Sequence, residues 1–144
     1  MRVLFDTSVL VAAMIESHPL HDRAYPWLDR ARKGALTYLV AAHSLAELYA
    51  VLSTYPTRPR LTAGAAARLV HDNVQIPARV VTLSARDYGA VIQDLAQASL
   101  PGGVVYDALI ARAARKAKAD RLLTLNPRDF HRVWPEAEGV VVAP

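Results

Sequence analysis

Three carboxylates stand apart from the other acids of this 144-residue chain. Asp6, Glu47 and Asp107 each sit in an apolar setting: Val3-Leu4-Phe5-Asp6, Leu45-Ala46-Glu47-Leu48 and Val105-Tyr106-Asp107-Ala108-Leu109. Glu47 and Asp107 have no lysine or arginine three or four residues away, the spacing that puts a partner on the same helix face. Other acids have local explanations. Asp29 is followed at those spacings by Arg32 and Lys33, Asp87 falls in the first turn after Ser84, and Glu136 and Glu138 lie in a polar loop. A carboxylate on a partly buried face must be paired, protonated or bound to a cation. If the three converge, each pair repels by about 4 kcal/mol at about 4 Å and an effective dielectric of about 20. Mg²⁺ or Mn²⁺ relieves that repulsion, and both prefer oxygen ligands. The chain has no cysteine and no His-x-x-x-His pair, which argues against zinc. Taken singly, Asp6 also reads as a helix cap and Asp107 as a first-turn dipole residue. Glu47, mid-helix and without a local lysine or arginine, has no such reading.

The elements that must position these side chains follow from hydrophobic patterning. Val3–Phe5 reads as a short buried strand that turns at Asp6-Thr7-Ser8 into an apolar helix. Residues 18–33 read as helix, bent or broken at Pro26 and stopped at Gly34. A second strand is expected over 36–40, helices over 42–54 and 62–74, and a valine-rich strand over 79–83. Ser84 caps a helix running to about residue 98. A further helix over 104–119, a strand over 122–125 and a strand over 140–143 complete the reading. Short apolar strands alternating with helices predict an α/β fold, a parallel sheet of about five strands covered on both faces. In such sheets ligands gather at the carboxyl ends of the strands, where the strand order switches. Asp6 follows the first strand directly, and Thr124 and Asn126 lie at the end of the fourth, so they should open onto one edge.

No repeat, low-complexity run or linker divides residues 1–144, so one domain is expected. The N-terminal apolar run is interrupted by Asp6 and closed by Glu16, too short for a membrane span and unlike a signal peptide. With no cysteine, a cytoplasmic protein is expected. The net charge of +4 suits a polyanionic partner without demanding one. Its basic residues are concentrated: Arg112, Arg115, Lys116, Lys118 and Arg121 lie within ten residues, with only Asp120 against them. Arg112, Arg115 and Lys116 are therefore candidates for tracking a nucleic-acid backbone, with a solvated helix face as the alternative. Trp27 and Trp134 are expected in packing rather than base stacking, and the five histidines show no metal-ligand spacing.

The chain resembles the PIN-domain family, specifically the VapC-like toxins of prokaryotic toxin–antitoxin pairs. The resemblance rests on Phe5-Asp6-Thr7-Ser8-Val9-Leu10, Ser44-Leu45-Ala46-Glu47-Leu48, Tyr106-Asp107-Ala108-Leu109-Ile110-Ala111 and Leu123-Thr124-Leu125-Asn126-Pro127-Arg128-Asp129-Phe130, four motifs in order across nearly the whole chain. It implies a parallel five-stranded sheet and Mg²⁺- or Mn²⁺-dependent cleavage of RNA phosphodiesters to a 5′-phosphate and a 3′-hydroxyl. It also implies a homodimer and inhibition by a cognate VapB-like antitoxin. Asp6, Glu47 and Asp107 fall on the family's three main acidic positions. Many relatives carry Asp at the fourth, where this chain has Asn126. Asn126-Pro127-Arg128-Asp129 also reads as a structural cap, with Asn126 at the N-cap and Asp129 reaching back. The alternative role for Asp129 is help with a second metal ion.

Thr7, Ser8, Thr124 and Asn126 are candidates for orienting the carboxylates, against ordinary turn and capping work. Two other functions remain open at this level. An aspartate-based phosphohydrolase also carries an acid after strand one, but as Asp-x-Asp, where this chain has Asp6-Thr7-Ser8. A catalytically degenerate PIN-like module that only binds RNA or a partner is the other, and retention of all three acids argues against it.

Overall fold

The computed structural model describes residues 1–144. Its first strand shows how the sheet is built. In β1 (Arg2–Phe5) successive side chains alternate faces, so Val3 and Phe5 enter one core and Leu4 the other. All three are fully buried, as expected of a central parallel strand. The chain continues through α1 (Thr7–Met14), α2 (His21–Arg32), β2 (Thr37–Ala41), α3 (Ala42–Leu52) and α4 (Ala63–Val70), then a π-helical turn (His71–Gln75). It goes on through β3 (Arg79–Val81), α5 (Ala85–Gln97), α6 (Val104–Lys116), β4 (Arg121–Leu123), α7 (Pro127–Val133) and β5 (Val141–Val142).

All pairings are parallel, in the order β3-β2-β1-β4-β5. The chain lays strands outward from β1 in one direction and then, from β4, in the other. The carboxyl ends of β1 and β4 therefore flank the switch point, where crossovers leave on opposite sides and a crevice opens. One core packs Val3, Phe5 and Val40 against Leu10, Leu28, Leu48 and Val70 from α1 to α4. The other packs Leu4, Leu39 and Leu122 against Ile110 and Phe130 from α6 and α7. Phe5 and Tyr38 meet edge-on at 4.9 Å, and the Tyr38 hydroxyl donates to the Asn73 carbonyl at 3.1 Å, tying the π-turn to the sheet.

The expected α/β class, parallel sheet and covering helices are present. Differences lie at element ends and in two helices. Pro26 does not break α2. It and Asp22, whose carbonyl loses a donor, are both exposed, so water takes the freed group. The expected 62–74 helix is α-helical only to Val70 before widening into the π-turn. Ser84 caps α5 as expected, within a full capping box closed by Asp87. The chain has no helix long and apolar enough to cross a membrane.

Candidate metal centre

Asp6 is the residue between β1 and α1, so the strand sets its position and the helix start sets its direction. It is buried, and its carboxylate is held from two sides. The hydroxyls of Ser8 and Thr124 donate to Oδ2 at 2.6 and 2.8 Å. Each hydroxyl accepts a backbone N–H in turn, Ser8 from Leu125 at 3.1 Å and Thr124 from Asn126 at 3.0 Å. Those amides fix the hydroxyl protons toward Asp6. Both donors use Oδ2, which leaves Oδ1 without a side-chain partner. Burial raises the Asp6 carboxyl above the usual carboxylate range, against the lowering pull of Ser8, Thr124 and the first amides of α1. The side chain closes no helix cap.

Glu47 lies in α3, which starts directly after β2. Its Oε1 meets the Nε2 of His43 at 3.2 Å, one helical turn back, and the Thr7 hydroxyl at 3.4 Å. Oε2 has no side-chain partner. Burial raises its carboxyl; His43 opposes this, Asp6 adds to it and Thr7 opposes it. Asp107 sits in the first turn of α6, where the helix dipole favours an anion. Its surroundings win: burial first, then the charges of Asp6, Asp129 and Glu47, push its carboxyl up to about 6, with only Arg132 pulling down.

The three acids share one cleft of about 500 Å³, lined also by Thr7, Ser8, His18 and Asn126. Asp6, Glu47 and Asp107 are thus brought together from three elements, and none forms an ion pair with lysine or arginine. They are gathered rather than closed: no three His, Asp or Glu side chains form a ready-made ligand group. The donors are carboxylate oxygens, free of side-chain partners on one atom of Asp6, one of Glu47 and both of Asp107, and the three residues line a single cleft. That set fits a hard divalent cation and no softer one.

Thr124, fully buried behind Asp6, serves it directly. Asp129 is felt by Asp107 as charge but does not line the cleft. Asn126 does stand at the N-cap of α7 with Pro127 just inside it, as expected, but the expected side-chain bonding is corrected: Asn126 makes no cap bond. The Asp129 amide is satisfied instead by the Asn126 main-chain carbonyl at 3.2 Å, and Asp129 does not reach back. Arg112, Arg115 and Lys116 lie toward the far end of α6. Arg112 and Lys116 are tied to Asp87 at 3.1 and 2.9 Å, and Arg115 lies over the Trp134 ring at 5.7 Å. The sequence reading passed over His43 and Arg132. His43 was accessible, because it stands four residues before Glu47 on the same helix, but a search for lysine and arginine alone misses it. Arg132 reaches Asp107 only because α7 packs on α6.

A family model for the PIN domain matches residues 3–134. Among curated relatives, ribonuclease VapC27 of Mycobacterium tuberculosis is 36% identical over 115 residues, 80% of this chain and 78% of that protein. Ribonuclease VapC40 of the same species is 33% identical over 138 residues, 94% of this chain and 96% of that protein. Among solved structures, VapBC2 from Rickettsia felis, bound to a DNA fragment from their promoter, superposes with a TM-score of 0.67 at 24% identity, covering 100% of this chain and 99% of that one. Mycobacterium tuberculosis VapC20, a toxin that cleaves the sarcin–ricin loop, superposes at 0.63 with 17% identity, over 83% of this chain and 86% of that one. With three acids at one sheet edge and a family match over nearly its whole length, the chain belongs to the PIN-domain family, in the company of the VapC ribonucleases.

Proposed function

We propose that residues 1–144 act as one divalent-cation-dependent endoribonuclease domain, the toxin of a VapBC-type pair. The observation that carries this is the cleft at the carboxyl end of β1, where three acids from three elements each keep an oxygen free. Asp6, Glu47 and Asp107 would hold Mg²⁺ or Mn²⁺, with Asp129 a candidate for a second ion. The cation, when bound, polarises a phosphate oxygen and makes water acidic enough to attack near neutral pH. The chain's own residues do the positioning. Ser8 and Thr124 fix Asp6, the Thr7 hydroxyl donates to Glu47 Oε1 with His43 alongside, and the first turn of α6 aims Asp107 into the cleft. Asn126, on the cleft wall with no cap to make, is a polar contact for RNA. A homodimer and a VapB-like antitoxin that occupies the cleft, both implied by the family resemblance, and a cytoplasmic location, expected from the absence of cysteine, complete the reading.

The phosphohydrolase reading loses ground because Ser8, in the place of a second acid, is spent on Asp6. The degenerate-module reading has the open arrangement of the acids in its favour. Against it stands the retention of all three acids, with Asp6 held in a fixed orientation by two hydroxyls. Incubation of the purified chain with unstructured RNA and Mn²⁺ separates the two. Cleavage is expected, chelator should stop it, and Asp6→Asn or Asp107→Asn should lower it by about 10²-fold or more with the fold intact by circular dichroism. Undiminished cleavage in either variant removes that residue from the mechanism; cation binding without cleavage by the unsubstituted chain favours the degenerate module.

A further inference from the structure

On the two helices that carry Glu47 and Asp107, a pair of aromatic rings outside the cleft lining lies face to face. Tyr106, immediately before Asp107, and His43, one turn before Glu47, have ring centroids 5.1 Å apart and planes within 2° of parallel. The other aromatic pairs of the chain are tilted or edge-on. His43 is largely covered, its side chain 22% exposed, with Nε2 3.2 Å from Glu47 Oε1 and no hydrogen bond made there. Tyr106 is 50% exposed. One face of the phenol ring is therefore packed and the other is offered to solvent, on a ring already fixed between two acid-bearing helices. A ring kept for packing alone gains from burial; this one is stacked on a neighbour while half exposed.

We propose that the open face of Tyr106 is a stacking platform for a nucleobase of single-stranded RNA beside the scissile phosphate, with His43 as the positioning residue behind it. The ligand class rests on the nuclease reading above. The physical need is local. An acidic cleft repels a polyanion, and Arg112 and Lys116 are committed to Asp87 at the far end of α6. A neutral π-surface next to two of the carboxylates supplies attraction that does not depend on charge and accepts any base. A base already stacked in a duplex is not available to it, so unpaired RNA is favoured.

The test is binding of a short, unstructured, fluorescein-labelled RNA to the full chain carrying Asp6→Asn, followed by anisotropy. Adding Tyr106→Leu should raise Kd about tenfold, while Tyr106→Phe and Tyr106→Trp should stay within about twofold. In the same RNA, an abasic nucleotide placed at successive positions should weaken binding at one of them, and there Tyr106→Leu should add nothing further. The abasic series also works on the intact Tyr106 ring, so a poorly folded variant does not spoil it. Three results overturn the platform: Tyr106→Leu leaves Kd unchanged, Tyr106→Phe is as damaging as Tyr106→Leu, or no abasic position couples to residue 106. Because binding is read without turnover, loss of the platform and loss of the nuclease reading are distinguishable. A chain that cuts RNA with Mn²⁺ but ignores Tyr106→Leu keeps the activity and loses the platform. One that cuts nothing but responds to both the ring and the abasic site does the reverse.

Discussion

Helix α6 joins two acidic centres that solve the same problem in opposite ways. Asp87, buried in the first turn of α5, is met by Arg112 and Lys116 from α6 and by the main chain and hydroxyl of Ser84. Lys116 and the Ser84 amide, with Arg112, hold its carboxyl well below the usual carboxylate range. Asp107, near the other end of α6, is met by three further acids and by no ion-paired cation, and is pushed up to about 6. One centre is complete within the chain and holds α5 to α6. The other is not balanced within the chain, and under the proposed function a cation would supply the missing charge. Burial penalises both acids; the partners brought by the tertiary structure decide the direction.

The contrast can be broken by experiment, beginning where the effect is largest. Thr124→Val removes a hydroxyl that fixes Asp6 and should lower cation affinity or RNA cleavage by about 10- to 100-fold. Ser8→Ala should act the same way, read by calorimetric Mn²⁺ titration. Neither change should matter if Asp6 is merely a turn residue.

Asp87→Asn leaves two cations without their anion and should lower Tm clearly, with little effect on cleavage per folded molecule. The sign with pH follows from the lowered carboxyl. Its stabilisation is fully present above the unfolded-state value of about 4 and is lost as pH falls further. Tm curves of Asp87→Asn and the unsubstituted chain should therefore converge toward pH 2. Parallel curves would mean that Asp87 contributes packing rather than charge.

Asp107→Asn should do the opposite in the absence of divalent cation: raise Tm by about 2–4 °C near pH 8, while removing activity. A carboxyl raised to about 6 in the fold costs stability above that pH and not below the unfolded-state value, so the gain should fade as the solution is acidified. Mn²⁺ affinity of the unsubstituted chain should weaken over the same descent through about pH 6, where a proton competes for Asp107. A Tm that falls on Asp107→Asn would place this acid with Asp87 among the structural ones. The smallest effect is expected at Asn126. With no cap bond to lose, Asn126→Ala should change stability by no more than about 0.5 kcal/mol, measured by denaturant titration.

Much of this molecule is legible in the order of its residues. The alternation Val3-Leu4-Phe5, the helix-period runs and the Ser84 cap specify a parallel sheet between helices, because period and capping are local properties of the chain. The three central acids are legible too, since an ionised group amid apolar neighbours needs a partner that the local sequence does not provide. Other features needed three dimensions. Asn126-Pro127-Arg128-Asp129 has the composition of a capping box, but the Thr124 hydroxyl takes the Asn126 amide and the backbone alone closes the turn. Arg112 and Lys116 read as a free basic face until α5 delivers Asp87 to them.

The sequence by itself determined the strands, most of the helices and the identity of the acids, since these depend on neighbours within one or two turns, and the alternation of strand with helix along the chain implied the parallel sheet. Only the tertiary structure decided which charges meet. It sent the cations of α6 to Asp87 and left Asp107 with Asp6, Glu47 and Asp129, and it stacked Tyr106 on His43. Electrostatic energy depends on separation in space, and residues 6, 47 and 107 become neighbours only when β1, α3 and α6 converge at the switch of strand order.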